Sequence, residues 1–117
     1  MEDMDERQVK LITGTNGRVY AMQYDDTEHR EKMGELGIMS REVEFILRRA
    51  QLWRWEQMMA DGTLYEFVES VAERCHDSII NRMDSYRETF GHMQMMLQIP
   101  QIRSECLQEA VENAGIR

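Results

Sequence analysis

The chain has 117 residues, 14 basic and 22 acidic side chains and a formal charge of −8. It is the length of one domain and long enough to bury a modest core without metal or disulfide staples. The negative charge disfavours non-specific adsorption to nucleic acid or anionic lipid, although a local basic face would override it. Met1 to Arg7 carries no apolar run, and nowhere do about eighteen apolar residues occur in succession. Neither a signal peptide nor a membrane span is therefore expected, and the expected compartment is the cytoplasm. There Cys75 and Cys106, far apart and without CxxC spacing, behave as small buried hydrophobes with no disulfide.

In chain order, residues 1–8 read as a disordered acidic tail, with Glu2, Asp3, Asp5 and Glu6 and no apolar periodicity. Residues 9–117 read as one helical domain. Its first element is a β-hairpin over 9–23, because Val9 to Ile12 and Arg18 to Met22 flank Asn16-Gly17, which supplies the positive φ of a tight turn. A short helix is expected from Thr27 to Leu36, stopped by Gly37. Ser40 is placed to cap a second helix to about Ala60, ended by Asp61-Gly62. Thr63-Leu64-Tyr65-Glu66 has the capping-box pattern. A third helix follows to about Glu88, with Leu64, Val68, Val71, Cys75, Ile79, Met83 and Tyr86 at three- and four-residue steps. Gly91 interrupts, residues 92–97 form a turn, and Pro100 opens a last helix that Gly115 ends. The expected class is mainly α, a small bundle of three to four helices with an N-terminal β-hairpin.

Plotted at about 100° per residue, the second helix puts Val43, Ile46, Leu47, Ala50, Trp53 and Met58 on a core face. Phe45, Leu52, Trp55 and Met59 form a second apolar stripe on the other side, with Arg41 and Arg48 along it. Such a helix is either sandwiched between other elements or presents its second stripe to a partner, since aromatics, Met and Arg are enriched at interface cores. The third helix gathers Glu66, Glu69, Glu73, Asp77, Asp84 and Glu88 on one side, with few basic residues four positions on to neutralise them. That row serves solubility, or it imitates duplex phosphates and docks in a basic groove. Arg82 falls in the apolar arc, where its stem snorkels or it pairs with a carboxylate. Met93, Met95 and Met96 fill gaps in the core or form an adaptable surface.

For catalysis the inventory is thin. There is no nucleophile elbow, phosphate-cradling glycine loop, HExxH or EF-hand pattern. His29, His76 and His92 are isolated in sequence, so no metal ligands, catalytic residues or cofactor are assigned.

Leu36-Gly37, the turn Ala60-Asp61-Gly62-Thr63-Leu64, Phe67-Val68, Cys75 in an alanine's place, and Ile102-Arg103 with Cys106 resemble the small TnpV proteins of Firmicutes transposons and integrative elements. The resemblance runs over about residues 36–110. It implies a mobile-element cargo protein with no catalytic residues. Together with the residue patterns it leads to an expected non-enzymatic protein that binds a protein partner, a nuclease or recombinase, as an anti-CRISPR-like inhibitor would. The alternative is an excisionase-like DNA-binding accessory reading a groove through Arg41, Arg48, Arg49 and Arg54. A third possibility is that the second stripe closes a homodimer.

Overall fold

The computed structural model describes residues 9–15, 17, 19–23 and 27–117; the expected tail over 1–8 lies outside them. The fold is mainly α. Strands β1 (Val9–Thr13) and β2 (Val19–Gln23) pair antiparallel, with Leu11 opposite Ala21 and Thr13 opposite Val19. Among the described residues five helices follow: α1 (Thr27–Leu36), α2 (Ile38–Ala50), α3 (Leu52–Asp61), α4 (Leu64–Phe90) and α5 (His92–Asn113). The strands lie on α3. Ile12 points into the core while its neighbour Leu11 faces out, the alternation of a half-buried strand. Thr15 donates its backbone N–H and its hydroxyl to the Asp61 carboxylate at 2.7 and 2.9 Å, and Gln57 Nε2 donates to the Thr13 carbonyl at 3.2 Å.

The three to four helices expected become five among the described residues because of one local event, and the last helix also starts earlier than expected. The single helix expected from Ser40 to Ala60 starts earlier, at Ile38, with Ser40 buried inside it, and it breaks at Gln51. Gln51 leaves helical geometry (φ −141°, ψ 67°). Its Nε2 donates to the Gly115 carbonyl at 3.0 Å and its Oε1 accepts from Arg54 at 3.2 Å. A tertiary tie to the C-terminal turn thus overrides a sequence with no Gly or Pro at the break. At the other end, α5 runs from His92 straight through Pro100, where the last helix was expected to begin. Proline removes the bond to the carbonyl four residues back; Met96 and Pro100 are both exposed, so water can solvate that carbonyl.

The capping box at Thr63 does not form. Gly62 is left-handed (φ 76°) and closes α3, with the Thr63 N–H bonded to the Met58 carbonyl at 2.9 Å, the six-to-one bond of a Schellman ending. Thr63 is held at φ −104°, ψ −2°, and its side chain makes no capping bond. The extended backbone that a side-chain N-cap needs is therefore lost.

Two apolar clusters hold the helices. One joins Met33, Val43, Leu47, Trp55, Leu64, Val68 and Val111, among others; the second joins Cys75, Ile79, Ile102 and Cys106 between α4 and α5. Polar ties reinforce them. Arg82 on α4 reaches Glu109 at 2.6 Å and Glu105 at 3.3 Å, and Arg103 reaches Glu42 on α2 at 2.8 Å. The molecule is long, 60 × 30 × 22 Å with a radius of gyration of 17.8 Å, against about 13 Å for a compact chain of this length. The excess comes from α4, whose 27 residues span about 40 Å, and from α5 lying back along it.

The α4–α5 reversal is made by one residue, Gly91, at φ 90° and ψ 169°, a region that side chains with a Cβ avoid. Gly91→Ala is expected to lower stability by about 1–3 kcal/mol, although a Cβ there meets nothing within 4 Å. Gly34→Ala, inside α1 with the same open space, should move the other way by about 0.5–1 kcal/mol. Urea unfolding of both variants checks the pair; an unchanged Gly91→Ala midpoint would refute the strain.

Candidate partner-binding surface

The break at Gln51 decides what α2 and α3 present. Phe45 and Leu52 of the proposed second stripe are exposed, at 62% and 47%. Trp55 and Met59 of the same stripe are core, at 2% and 7%. Trp53, placed on the core face by the helical plot, is 67% exposed. An unbroken helix would have turned Trp55 and Met59 away from the side that Val43 and Leu47 bury. Restarting after Gln51 resets the phase, so Trp55 and Met59 swing inward and Trp53 outward. The paired strands sit against the Thr13–Asp61 end of α3 and leave Phe45 and Leu52 uncovered.

A groove of about 940 Å³ runs beside α2, floored by Met33, Ile38, Phe45, Ile46 and Leu107 and edged by Arg30, Arg41 and Arg48. Ile38, 69% exposed, also lines a second hollow of about 460 Å³ with Glu69, Glu73, His76 and Asp77 of α4. The apolar groove and the acidic row of α4 are thereby one continuous surface joined at Ile38. All six carboxylates of that row are exposed. Glu66 and Glu88 stand about 33 Å apart along the helix. Asp84 pairs with Arg87 at 2.6 Å; among the described residues the other five have no ion-pair partner. Ile38 precedes Phe45 by two helical turns, in register with the second stripe, but the helix was expected to begin only at Ser40, so Ile38 fell outside it.

The four candidate arginines do not share a face. Arg48 lies over Trp55 at 4.6 Å and Arg54 over Phe67 at 4.9 Å, and they belong to different helices. Arg49 leans on Phe45 at 5.8 Å, and Arg41 is exposed at the groove. The methionine cluster also divides: Met95 is buried at 3%, while Met93 and Met96 are exposed at 78% and 51%.

One polar hub went unnoticed in sequence because its members come from four helices. His29 (α1) is hydrogen-bonded through Nδ1 to Tyr65 Oη (α4) at 2.7 Å and through Nε2 to Glu44 Oε2 (α2). Trp55 Nε1 (α3) donates to the same Glu44 oxygen at 3.2 Å. Both ring nitrogens of His29 are thus engaged within the protein, and the arrangement ties α1 to α2 and α4. Burial pushes the Glu44 carboxyl up, but the hydrogen bond and charge of His29, the Trp55 N–H and the Arg48 charge outweigh it and hold the group below its ordinary value of 4.5. Burial pushes the Cys75 and Cys106 thiols up, away from the thiolate that nucleophilic chemistry needs.

The Glu44 shift has a sign that can be measured. Below pH 4.5 the unfolded chain takes up the proton before the native one, so this contribution, complete at neutral pH, is lost as pH falls through the depressed native value. Glu44→Gln should start less stable at pH 7 and lose less on acidification. Urea midpoints from pH 7 to about 3 report it, and parallel pH profiles would refute it.

Compared with protein-family models, with curated proteins and with solved structures, the chain matches none. No helix among the described residues is long and apolar enough to cross a membrane.

Proposed function

We propose that the chain is a non-enzymatic interaction protein of a mobile genetic element, one that binds a nucleic-acid-binding enzyme, such as a CRISPR nuclease or a recombinase, and inhibits it. The observation that carries this reading is the surface joined at Ile38. There the apolar side chains Ile38 and Phe45 adjoin a row of carboxylates, of which five lack a partner among the described residues. Apolar side chains in a groove supply anchoring, and a row of like charge beside them selects a partner of opposite sign. A groove built to hold phosphates is such a partner, and it meets the chain in the cytoplasm. The mobile-element setting rests on the TnpV resemblance.

The test is a pull-down of the tagged chain from nuclease-treated host lysate at moderate salt, followed by mass spectrometry and by a nucleic-acid-binding assay of the recovered protein. One stoichiometric nucleic-acid-binding protein that loses its nucleic acid on adding the chain supports the reading. Recovery of the chain alone, or of a partner whose nucleic-acid binding is unaffected, sinks it.

A further inference from the structure

We infer that the outer end of the α4–α5 hairpin is the interface of a homodimer, in which Met93, Met96 and Leu97 pack against the same residues of a second copy. The seam is written along α5. Met93, Leu97, Pro100, Ser104, Leu107, Val111 and Ala114 follow one another at alternating four- and three-residue steps, the spacing of a helix that packs along its length against another. In the lower half the seam is filled: Val111 is buried at 6%, and Leu107 and Ala114 pack on the main core. In the upper half the same seam is bare, with Met93 78% and Leu97 69% exposed. Between Ile79 and Ile102 only Met95 is buried. A second hairpin laid alongside would cover the upper half of the seam as the helical body covers the lower.

Charge selects a second copy as the occupant. A two-fold contact apposes the same surface patch on both copies, so a chain of charge −8 repels itself least where that patch carries few carboxylates. Residues 89–104 contain no Asp or Glu in a chain with 22. The ionisable side chains in this stretch are His92 and Arg103, the latter paired with Glu42. A partner chosen by charge would find little to read here. Contact at the tips also leaves the row from Glu66 to Asp77 about 20 Å or more of helix away from Phe90, well beyond the roughly 8 Å screening length at physiological salt, with Asp84, paired to Arg87, and Glu88 as the members of the row nearest the contact. At roughly 200 Å² for a large side chain, Met93, Met96 and Leu97 expose on the order of 400 Å², about half of the ~800 Å² per partner in a standard interface.

Sedimentation equilibrium of the full chain from about 1 to 100 μM should show the mass rising from 13.9 kDa towards twice that value. Met93→Glu with Leu97→Glu should raise the dissociation constant by on the order of 100-fold with unchanged helicity by circular dichroism. Phe45→Glu, on the partner surface, should leave the mass unchanged, so the dimer and the proposed function are read separately. Should the double variant lose helicity, Gln94→Cys decides instead: under mild oxidation it should cross-link two chains, and Glu73→Cys on the acidic row should not. A wild type that stays monomeric throughout, leaving the tip to some other partner, overturns the inference. So does a dimer that both variants leave intact or that cross-links through Glu73→Cys.

Discussion

Trp55→Ala is expected to cost about 3–5 kcal/mol of stability, whereas Trp53→Ala, two residues away, should stay within about 0.5 kcal/mol. Trp55 is buried to 2%, its indole donates to Glu44 at 3.2 Å, and Arg48 covers its ring at 4.6 Å. Removing it opens a cavity in the main core and leaves a partly buried carboxylate short of a donor. For a domain whose total stability is about 5–15 kcal/mol, that loss brings the midpoint close to unfolding. Trp53, at 67% exposure, has little packing to lose. Urea unfolding followed by circular dichroism separates the two. Because an unbroken α2–α3 helix would bury the other tryptophan, a larger loss from Trp53→Ala than from Trp55→Ala would mean that the break at Gln51 is wrong.

That pair of residues also shows how far the sequence could be read. Periodicity placed the buried stripe of α4, from Leu64 through Ile79, because a helix that packs along its length keeps its phase from end to end. The same reasoning put the acidic row on the exposed side, where its six members stand. It failed at Gln51. A helical plot assumes one phase, and the side-chain bond to Gly115, 64 residues on, resets it without any local signal. The His29 hub was invisible for a related reason: its four members are scattered from residue 29 to residue 65, at spacings set by how four helices cross. Pro100 misled in the opposite direction. Its usual meaning as a helix start was overridden because α5 gains more by packing along α4 than it loses at one solvent-facing carbonyl. The bare upper half of the α5 seam was legible only in part, as three methionines whose middle member is core and whose outer members are surface.

The surface joined at Ile38 predicts two separable losses of binding once a partner is in hand. Ile38→Glu with Phe45→Glu places carboxylates in the apolar floor of the groove, where a docked partner would desolvate them. Affinity should fall by about 100- to 1,000-fold, chiefly through faster dissociation, with little change in melting temperature because both residues are exposed. Glu73→Lys with Asp77→Lys acts differently. These groups are solvated, and their attraction works over distance. Reversing them should slow association and flatten the dependence of the rate on salt, whereas the wild-type complex should weaken steeply as salt rises. Surface plasmon resonance at several ionic strengths measures both rates for both variants. A wild-type affinity indifferent to salt would remove the acidic row from the interface, leaving the groove as an apolar docking site and taking away the reason to expect a partner that holds nucleic acid. If the groove variants bind normally while the charge reversals abolish binding, recognition is electrostatic alone, and the exposure of Ile38 and Phe45 needs another cause.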